Sequence, residues 1–237
     1  MNRKNRKKVF FIEDDLFIRE IEKKQDHLKA YRLRHKVYCE FLHWVEPSPD
    51  ELEIDRYDFF STSMGVFETG GDLLGVIRII PSDSLFMLEK EFLPLVSADH
   101  RIRKECDTAE ITRLTTLVPH HLTIIKQHRV SMLLYKGVYH WSLLNGVRYL
   151  YFVVEMRFLR VLNRVGFPCV PIGPVTTLGE GVQTIAVILD WEVFRSEASL
   201  SQPTFFQWIS NRPQSNQRRE PLLRPEHDSE LLASPSH

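Results

Sequence analysis

The chain has 237 residues, of which 43% are apolar, 26% charged and 11% aromatic, and this length and composition allow one sizeable hydrophobic core. Thirty-one Lys and Arg residues balance thirty-one Asp and Glu residues, so no overall field attracts nucleic acid or an anionic membrane. Three widely spaced cysteines form no C-x-x-C pair and no apolar stretch approaches the roughly 20 residues of a membrane span, so we expect a cytoplasmic protein without disulfides, zinc or a membrane span.

The first half of the chain predicts one helix and three strands. Residues 1–16 place charged clusters around Val-Phe-Phe-Ile, which could form a strand, a helix start or a frayed arm. The hydrophobic spacing and the turn residues then predict, in chain order, a strand over 17–21, an amphipathic helix over 26–41, a long ordered loop over 46–58 and a β-hairpin with strands over 63–67 and 73–80.

The second half alternates between helices and strands. The predicted order is a short helix or turn over 86–93, a strand over 110–117, a helix over 130–144, a strand over 149–154, a helix over 157–165 and strands over 169–172 and 184–189. This order predicts an α/β fold with a mixed sheet and helices on its faces. Aromatic residues over 205–209 could form one last packed turn, and Pro, Gln, Ser, Arg and Glu predict disorder from 211. We therefore expect an arm over 1–16, one domain over 17–195 and a C-terminal extension over 196–237.

Charged and aromatic residues form two blocks that carry the functional interpretation. The first block contains Arg34, Tyr38, Trp44, Glu53, Asp55 and Asp58, and the second contains Arg78, Glu110 and Arg113. Because side chains alternate along a strand, Glu110 and Arg113 point to opposite faces unless a bulge intervenes. Either one of them lies off the core face, or the strand is bulged.

The order and spacing of these residues resemble the signature of acyl-homoserine-lactone synthases. The sequence differs from this signature at Ala-Glu-Ile-Thr-Arg-Leu (109–114), where that family usually has Glu-Arg-Ser-Arg-Phe. Tyr-Cys-Glu (38–40) and Gly-Phe-Pro-Cys-Val-Pro-Ile-Gly-Pro (166–174) look more like the sister group of N-acyl amino acid synthases and exosortase-associated acyltransferases. The resemblance covers about residues 17–190. It implies a GNAT-like fold with a mostly antiparallel sheet, helices on both faces, and two central strands that splay around the phosphopantetheine arm of an acyl donor.

The activity that the resemblance implies is N-acyl transfer. A long-chain acyl group would pass from acyl carrier protein to the amino group of an amino acid, with acyl-phosphopantetheine as a substrate and no permanently bound cofactor. Three alternatives stay open: a lactone synthase that uses S-adenosylmethionine, an acetyltransferase that uses acetyl-CoA, and a non-catalytic binding module. The glycine-poor segment 126–133 argues against tight binding of a CoA pyrophosphate.

Catalytic roles are expected for Glu53, Glu110 and Arg113. Holding an amine in line with a thioester can contribute roughly 7 to 11 kcal/mol, so positioning should outweigh base strength. A carboxylate, either Glu53 or Glu110, could still take the proton from the tetrahedral intermediate, directly or through one water. Backbone N–H groups after Arg113 could stabilise the oxyanion.

Substrate-binding roles are expected for Arg34, Tyr38, Trp44, Asp55, Asp58 and Arg78. The arginines could bind an acceptor carboxylate or pair with Asp55, Asp58 and Glu110. The two aromatic residues could cap the pocket or pack in the core. Lys126 and Arg129 precede a predicted helix and could meet the phosphate of the donor arm or lie in a solvated turn. Four apolar residues could line an acyl tunnel or simply pack in the core: Val153, Phe158, Leu162 and Phe167.

Overall fold

The computed structural model describes residues 6–116, 123–179 and 181–211, and within these ranges nine strands form one sheet flanked by helices. The strands are β1 (Phe10–Glu13), β2 (Leu16–Glu20), β3 (Thr62–Glu68), β4 (Leu73–Pro81), β5 (Thr108–Thr116), β6 (Tyr149–Glu155), β7 (Cys169–Pro171), β8 (Thr176–Leu178) and β9 (Val182–Asp190). The α-helices are α1 (Lys24–His35), α2 (Met87–Lys90), α3 (Ile124–Asn145), α4 (Met156–Val165), α5 (Trp191–Ser201) and α6 (Pro203–Ser210).

The strand order confirms the predicted mixed, mostly antiparallel sheet. Hydrogen bonds connect the strands in the order β1-β2-β3-β4-β5-β6-β9-β7, and β8 also pairs with β9. The pairing of β5 with β6 is parallel and is confined to Thr108–Glu110 against Tyr149–Tyr151. Beyond this short contact the two strands diverge, which produces the predicted splay in the middle of the sheet.

The apolar residues of the described ranges pack on both faces of the sheet. The largest cluster lies between the sheet and helices α3 to α6, and it includes Trp141, Trp191 and Phe194. On the other face α1 and α2 cover two smaller clusters. No helix within 6–116, 123–179 and 181–211 is long and apolar enough to cross a membrane.

The predicted hairpin and the predicted cap of α4 are present. The β3-β4 turn places Gly71 at φ 90°, and Gly166 ends α4 at φ 112°, two conformations in which a Cβ atom would be strained. The predicted first helix is α1, which continues through a π-helical turn over Lys36–Phe41. Such turns add a residue to the helix and reorient the side chains that follow.

Both ends of the described chain contribute more to the fold than the sequence predicted. The N-terminal arm supplies β1, whose Phe11 is buried in the core and pairs with Ile18 of β2. Beyond residue 195, α5 continues to Ser201 and α6 follows, with Trp208 Nε1 donating to Glu13 Oε1 at 2.8 Å. The disorder predicted for the tail lies outside the described residues from position 212 onward.

Candidate active site

A buried group of ion pairs joins the first helix, the long loop, the hairpin and β5. We call it the ion cage, and its members are Arg34, Glu53, Asp55, Asp58, Arg78 and Arg113. Three guanidinium groups face three carboxylates, so the ion cage is neutral overall. Burial of charge is expensive unless the charges pair and form hydrogen bonds, and each member here does both.

The deepest pairs of the ion cage involve Arg34 and Arg78. Arg34 binds Asp58 at 2.7 Å and also pairs with Glu53. Arg78 binds Asp55 at 2.6 and 2.9 Å and Asp58 at 3.0 Å. Only 1% of the Arg34 side chain and none of the Arg78 side chain is exposed. These two arginines therefore hold the carboxylates rather than offer a surface to a ligand.

The long loop presents its carboxylates because it caps a 3₁₀ turn over Arg56–Phe59. Asp55 Oδ1 accepts from Tyr57 N at 2.8 Å, and Asp58 Oδ2 accepts from Asp55 N at 2.9 Å, which makes a reciprocal capping box. The same two carboxylates bind the arginines. Local capping and ion pairing thus fix the loop in one conformation.

Arg113 reaches the ion cage through a β-bulge, the second of the two predicted possibilities. Val76 pairs with Thr115 and Arg78 pairs with Thr112, so β5 carries an extra residue opposite β4. Arg113 lies at this irregularity with φ 54°, a strained conformation for a side chain other than glycine. Its guanidinium binds Glu53 at 2.8 Å and Asp55 at 3.1 Å.

Electrostatics in the ion cage favours the charged forms. Burial alone would favour neutral forms, but the carboxylates hold the pKa of Arg34 above its ordinary value. Burial likewise opposes the charge of Asp58, yet the Arg34 and Arg78 guanidinium groups hold the pKa of its carboxyl below the usual range. The Arg113 and Asp55 side chains are 13% and 20% exposed, so these two members form the open edge of the ion cage.

The prediction that Glu110 pairs with the arginines is wrong: Glu110 lies beside the ion cage and anchors helix α2. Its carboxylate accepts hydrogen bonds from Met87 N at 2.6 Å and Leu88 N at 2.9 Å. The same Met87 places its sulfur 3.1 Å from Arg78 Nη2. Burial raises the pKa of Glu110 to about 7, although the two backbone N–H groups oppose this rise.

We expect Glu110→Gln to remove a pH dependence of stability. Between pH 4.5 and about 7 the folded Glu110 keeps a proton that the unfolded chain has lost, so stability falls as pH rises through this window, by about 3 kcal/mol at 1.36 kcal/mol per unit. Glutamine cannot ionise, so the variant should lack this part of the decline in urea unfolding at pH 5 and pH 8. Glu20→Gln is the control. Burial also raises the Glu20 pKa to about 7, so this variant should lose the Glu20 contribution to the decline and keep the Glu110 contribution. A wild-type slope in the Glu110 variant would contradict the prediction.

A cavity of about 590 Å³ opens where β5 and β6 diverge. The four predicted tunnel residues, Val153, Phe158, Leu162 and Phe167, all line it, as does Arg113. The ion cage and the cavity therefore share one residue. The wall also contains residues that no sequence signal marked, among them Leu42, Ile111, Leu114, Tyr135, Leu150, Phe152, Cys169 and Trp191.

Tyr38 and Trp44 both line the cavity. The Tyr38 hydroxyl donates to Leu114 O at 3.0 Å, across the bulge of β5, and the Arg113 guanidinium carbon lies 5.2 Å from the Tyr38 ring centroid. Trp44 contacts Tyr38 with ring centroids 6.1 Å apart and remains 46% exposed. The π-helical turn thus brings an aromatic pair to the cavity next to Arg113.

Lys126 and Arg129 do not line the cavity. Lys126 Nζ binds Glu68 Oε2 at 2.9 Å, and Arg129 Nη2 binds Asp14 and Asp15 at 3.0 and 2.9 Å. Gln127, His128 and Ser131 of the same helix line the cavity instead. Because successive helical residues are about 100° apart, the two basic residues face the β1-β2 turn and β3, away from the cavity.

The family model described as autoinducer synthase matches residues 19–198. The chain belongs to the autoinducer synthase family. A relative among curated proteins, the acyl-homoserine-lactone synthase of Rhizobium radiobacter, is 27% identical over 157 residues, which cover 65% of this chain and 74% of the relative. These homologues are acyltransferases, and the predicted enzyme class and family resemblance are confirmed.

Solved structures of autoinducer synthases and of the sister group share the fold. The CoA-dependent acyl-homoserine lactone synthase BjaI, solved with SAM and isopentyl-CoA, matches with a TM-score of 0.61 and 22% identity over 76% of this chain and 85% of BjaI. FeeM, an N-acyl amino acid synthase from uncultured soil microbes, matches with a TM-score of 0.54 and 18% identity over 85% of this chain and 99% of FeeM. Both groups named from the sequence therefore share this architecture.

Proposed function

We propose that this autoinducer synthase is an acyl-homoserine-lactone synthase that acylates the amino group of S-adenosylmethionine. The observation that carries the proposal is the family match over residues 19–198, together with curated relatives that are acyl-homoserine-lactone synthases. These relatives favour S-adenosylmethionine as the acceptor. The sequences of segments 38–40 and 166–174 had instead indicated an amino acid. The chemistry of the first step, amine attack on a thioester, is the same in both.

The proposed reaction has two bond exchanges. The amino nitrogen attacks the thioester carbonyl, an N–C bond forms, the C–S bond breaks, and the amine proton and the donor thiolate leave. A carboxylate oxygen of the acylated S-adenosylmethionine then attacks its own γ-carbon. The C–S bond to the sulfonium breaks with its electron pair on sulfur, and neutral 5′-methylthioadenosine leaves beside the lactone.

The cavity and the open edge of the ion cage suit the two substrates. Each buried CH₂ group contributes about 0.8 kcal/mol, so the apolar wall would bind an acyl chain. Arg113 lines the cavity and belongs to the ion cage, and we assign it and Asp55 to the charged acceptor. Arg34, Arg78 and Asp58 are positioning residues in this arrangement.

The proton of the amine leaves without a dedicated base in direct contact. Glu53 accepts from two guanidinium groups and Glu110 from two backbone N–H groups, so a base role for either carboxylate requires a bridging water. An α-amine with a pKa near 8 costs only about 1.4 kcal/mol to deprotonate at pH 7. Positioning at the cavity therefore outweighs base strength, and backbone N–H groups after Arg113 are our candidates for the oxyanion site.

The donor arrives with negative charge, and helix α4 offers a basic surface to it. Arg157, Arg160 and Arg164 are exposed on α4, and Phe158 and Leu162 of the same helix line the cavity. A phosphopantetheine arm carries a phosphate whether it is attached to carrier protein or to CoA. We propose acyl carrier protein as the donor partner and leave acyl-CoA as the second arm of the test.

Purified protein tests both substrates in one experiment. Acyl carrier protein and CoA thioesters with saturated chains of increasing length are each incubated with S-adenosylmethionine or with a mixture of amino acids, and products are weighed by mass spectrometry. We expect an N-acyl homoserine lactone and an equal amount of 5′-methylthioadenosine. An N-acyl amino acid without methylthioadenosine release would overturn the proposed acceptor. Faster reaction with acyl-CoA would overturn only the proposed donor.

A further inference from the structure

His35 and Glu40 form a hydrogen-bonded pair across the π-helical turn that follows α1. The two atoms that pair, His35 Nδ1 and Glu40 Oε1, lie 3.0 Å apart. The His35 side chain is 5% exposed and the Glu40 side chain is 54% exposed. His35 Nε2 is buried and has no hydrogen-bond partner within residues 6–116, 123–179 and 181–211. Because a proton on Nε2 would be a buried donor without an acceptor, the Nδ1–H group is the donor to Glu40.

The spacing of this pair matches a π-helical turn and not a regular α-helix. Residues five positions apart lie about 140° apart around an α-helix, so their side chains point in different directions. A π-helical turn joins residues five positions apart by backbone hydrogen bonds, and here Leu42 N donates to Val37 O at 2.8 Å. The hydrogen bond between His35 and Glu40 spans the same number of residues. It therefore stabilises the π-helical form of the turn over a continuation of α1.

The π-helical turn carries Tyr38 to the cavity and fixes it at both ends. The Tyr38 carbonyl oxygen accepts from Trp44 N at 2.8 Å and from Val45 N at 3.2 Å. Its hydroxyl donates to Leu114 O at 3.0 Å. Leu114 follows Arg113 at the bulge of β5, so its N–H group is one of the candidates for the oxyanion site. A change from π-helix to α-helix in this turn would move the Tyr38 ring relative to the bulge.

We propose that His35 and Glu40 are positioning residues, which hold the π-helical turn so that Tyr38 stays against the β5 bulge. Neither residue lines the cavity and neither belongs to the ion cage, so the pair acts on the reaction only through the turn. The inference rests on the proposed function, because it assumes that an amine attacks a thioester beside Arg113. Single π-helical turns often occur at functional sites, and this pair gives a local physical cause for the turn found here.

Two substitutions of Glu40 test the pair. Glu40→Met keeps the length of the side chain and removes the acceptor, whereas Glu40→Gln keeps an acceptor oxygen. The measurement is release of the thiol from the acyl donor, over a range of donor concentrations. Misplacing reacting groups by about 1 Å can cost about 100-fold, so we expect kcat to fall about tenfold in Glu40→Met while KM for the acyl donor stays within about twofold. Tm should fall by no more than about 4 °C, and Glu40→Gln should keep kcat within about twofold of the wild type.

Two further variants show whether the pair acts through Tyr38. Tyr38→Leu removes the ring and the hydroxyl that the turn positions. Adding Glu40→Met to Tyr38→Leu should therefore lower kcat by no more than a further factor of about two, because residues that act through one contact are not additive. Lys36→Gln is the matched control, since it changes the charge of an exposed residue in the same turn, and it should keep the kcat of the wild type.

The outcomes distinguish the positioning role from the proposed function. A wild-type kcat in Glu40→Met would overturn the positioning role. An equal fall in Glu40→Gln, or a full tenfold fall when Glu40→Met is added to Tyr38→Leu, would overturn it as well, and in all three cases the proposed function stands. If the wild type releases no thiol from any acyl donor with any acceptor, the proposed function is contradicted and the positioning role with it.

Discussion

Replacing Arg78 by methionine should lower the free energy of unfolding by about 3 to 5 kcal/mol, because it leaves a negative charge in the interior. The ion cage is neutral with three arginines and three carboxylates, and the Arg78 side chain is fully buried. Methionine has a similar length but no charge. Asp55 and Asp58 then have only Arg34 and Arg113 as cationic partners, and the ion cage carries one net negative charge. Urea unfolding at neutral pH measures the loss.

Two controls separate this charge effect from loss of contacts. Arg148→Met removes a partly exposed arginine that binds Asp190 at 2.7 Å, and such pairs contribute about 1 kcal/mol or less. Arg78→Met combined with Asp58→Asn restores charge balance in the ion cage, so the double variant should recover part of the stability lost by Arg78→Met. If Arg78→Met costs no more than Arg148→Met, the ion cage is not a unit of stability.

Most members of the ion cage could be predicted from the sequence, but Glu53 stands in it where Glu110 was expected, and its pairings could not be predicted. The spacing of Arg34, Glu53 and Asp55 resembled a known signature, and that resemblance was enough to place them together. Which carboxylate each arginine binds depends on the capping box at Asp55 and on the bulge at Arg113, both of which are products of tertiary structure. Strand alternation alone left Arg113 on either face.

The cavity was predictable on one side only. The apolar residues of α4 and β6 led to Phe158, Leu162 and Val153, and all three line the cavity. On α3, apolar residues surround the helix, so the sequence did not indicate that Tyr135 faces the cavity or that Lys126 faces away from it.

Helix α5 was missed although its signals are present in the sequence. Asp190 caps it by accepting from Glu192 N at 2.8 Å, and the buried residues Trp191, Phe194 and Ala198 have helical spacing. Because charged residues lie between these buried residues, the segment resembled the polar end of a domain. Recognition of Asp190 as an N-cap would have located the helix.

Arg113→Lys should reduce kcat/KM for the proposed acyl transfer about 100-fold and leave the fold intact. Lysine keeps the positive charge, and Glu53 and Asp55 keep Arg34 and Arg78 as partners, so no buried carboxylate loses all compensation. The variant loses the planar guanidinium, which binds Glu53 and Asp55 at once. That double contact orients the open edge of the ion cage beside the cavity.

Steady-state rates and thermal unfolding, measured on the same variant, distinguish a role of Arg113 in the reaction from a role in stability. Arg129→Lys is the matched control, because Arg129 binds Asp14 and Asp15 at the surface and does not line the cavity, and its kcat/KM should stay within about twofold of the wild type. Wild-type turnover in Arg113→Lys would show that a point charge at this position is sufficient. A large fall in Tm together with the rate would make Arg113 a structural member of the ion cage like Arg78. The functional residues at the open edge would then be Asp55 and the aromatic pair Tyr38 and Trp44.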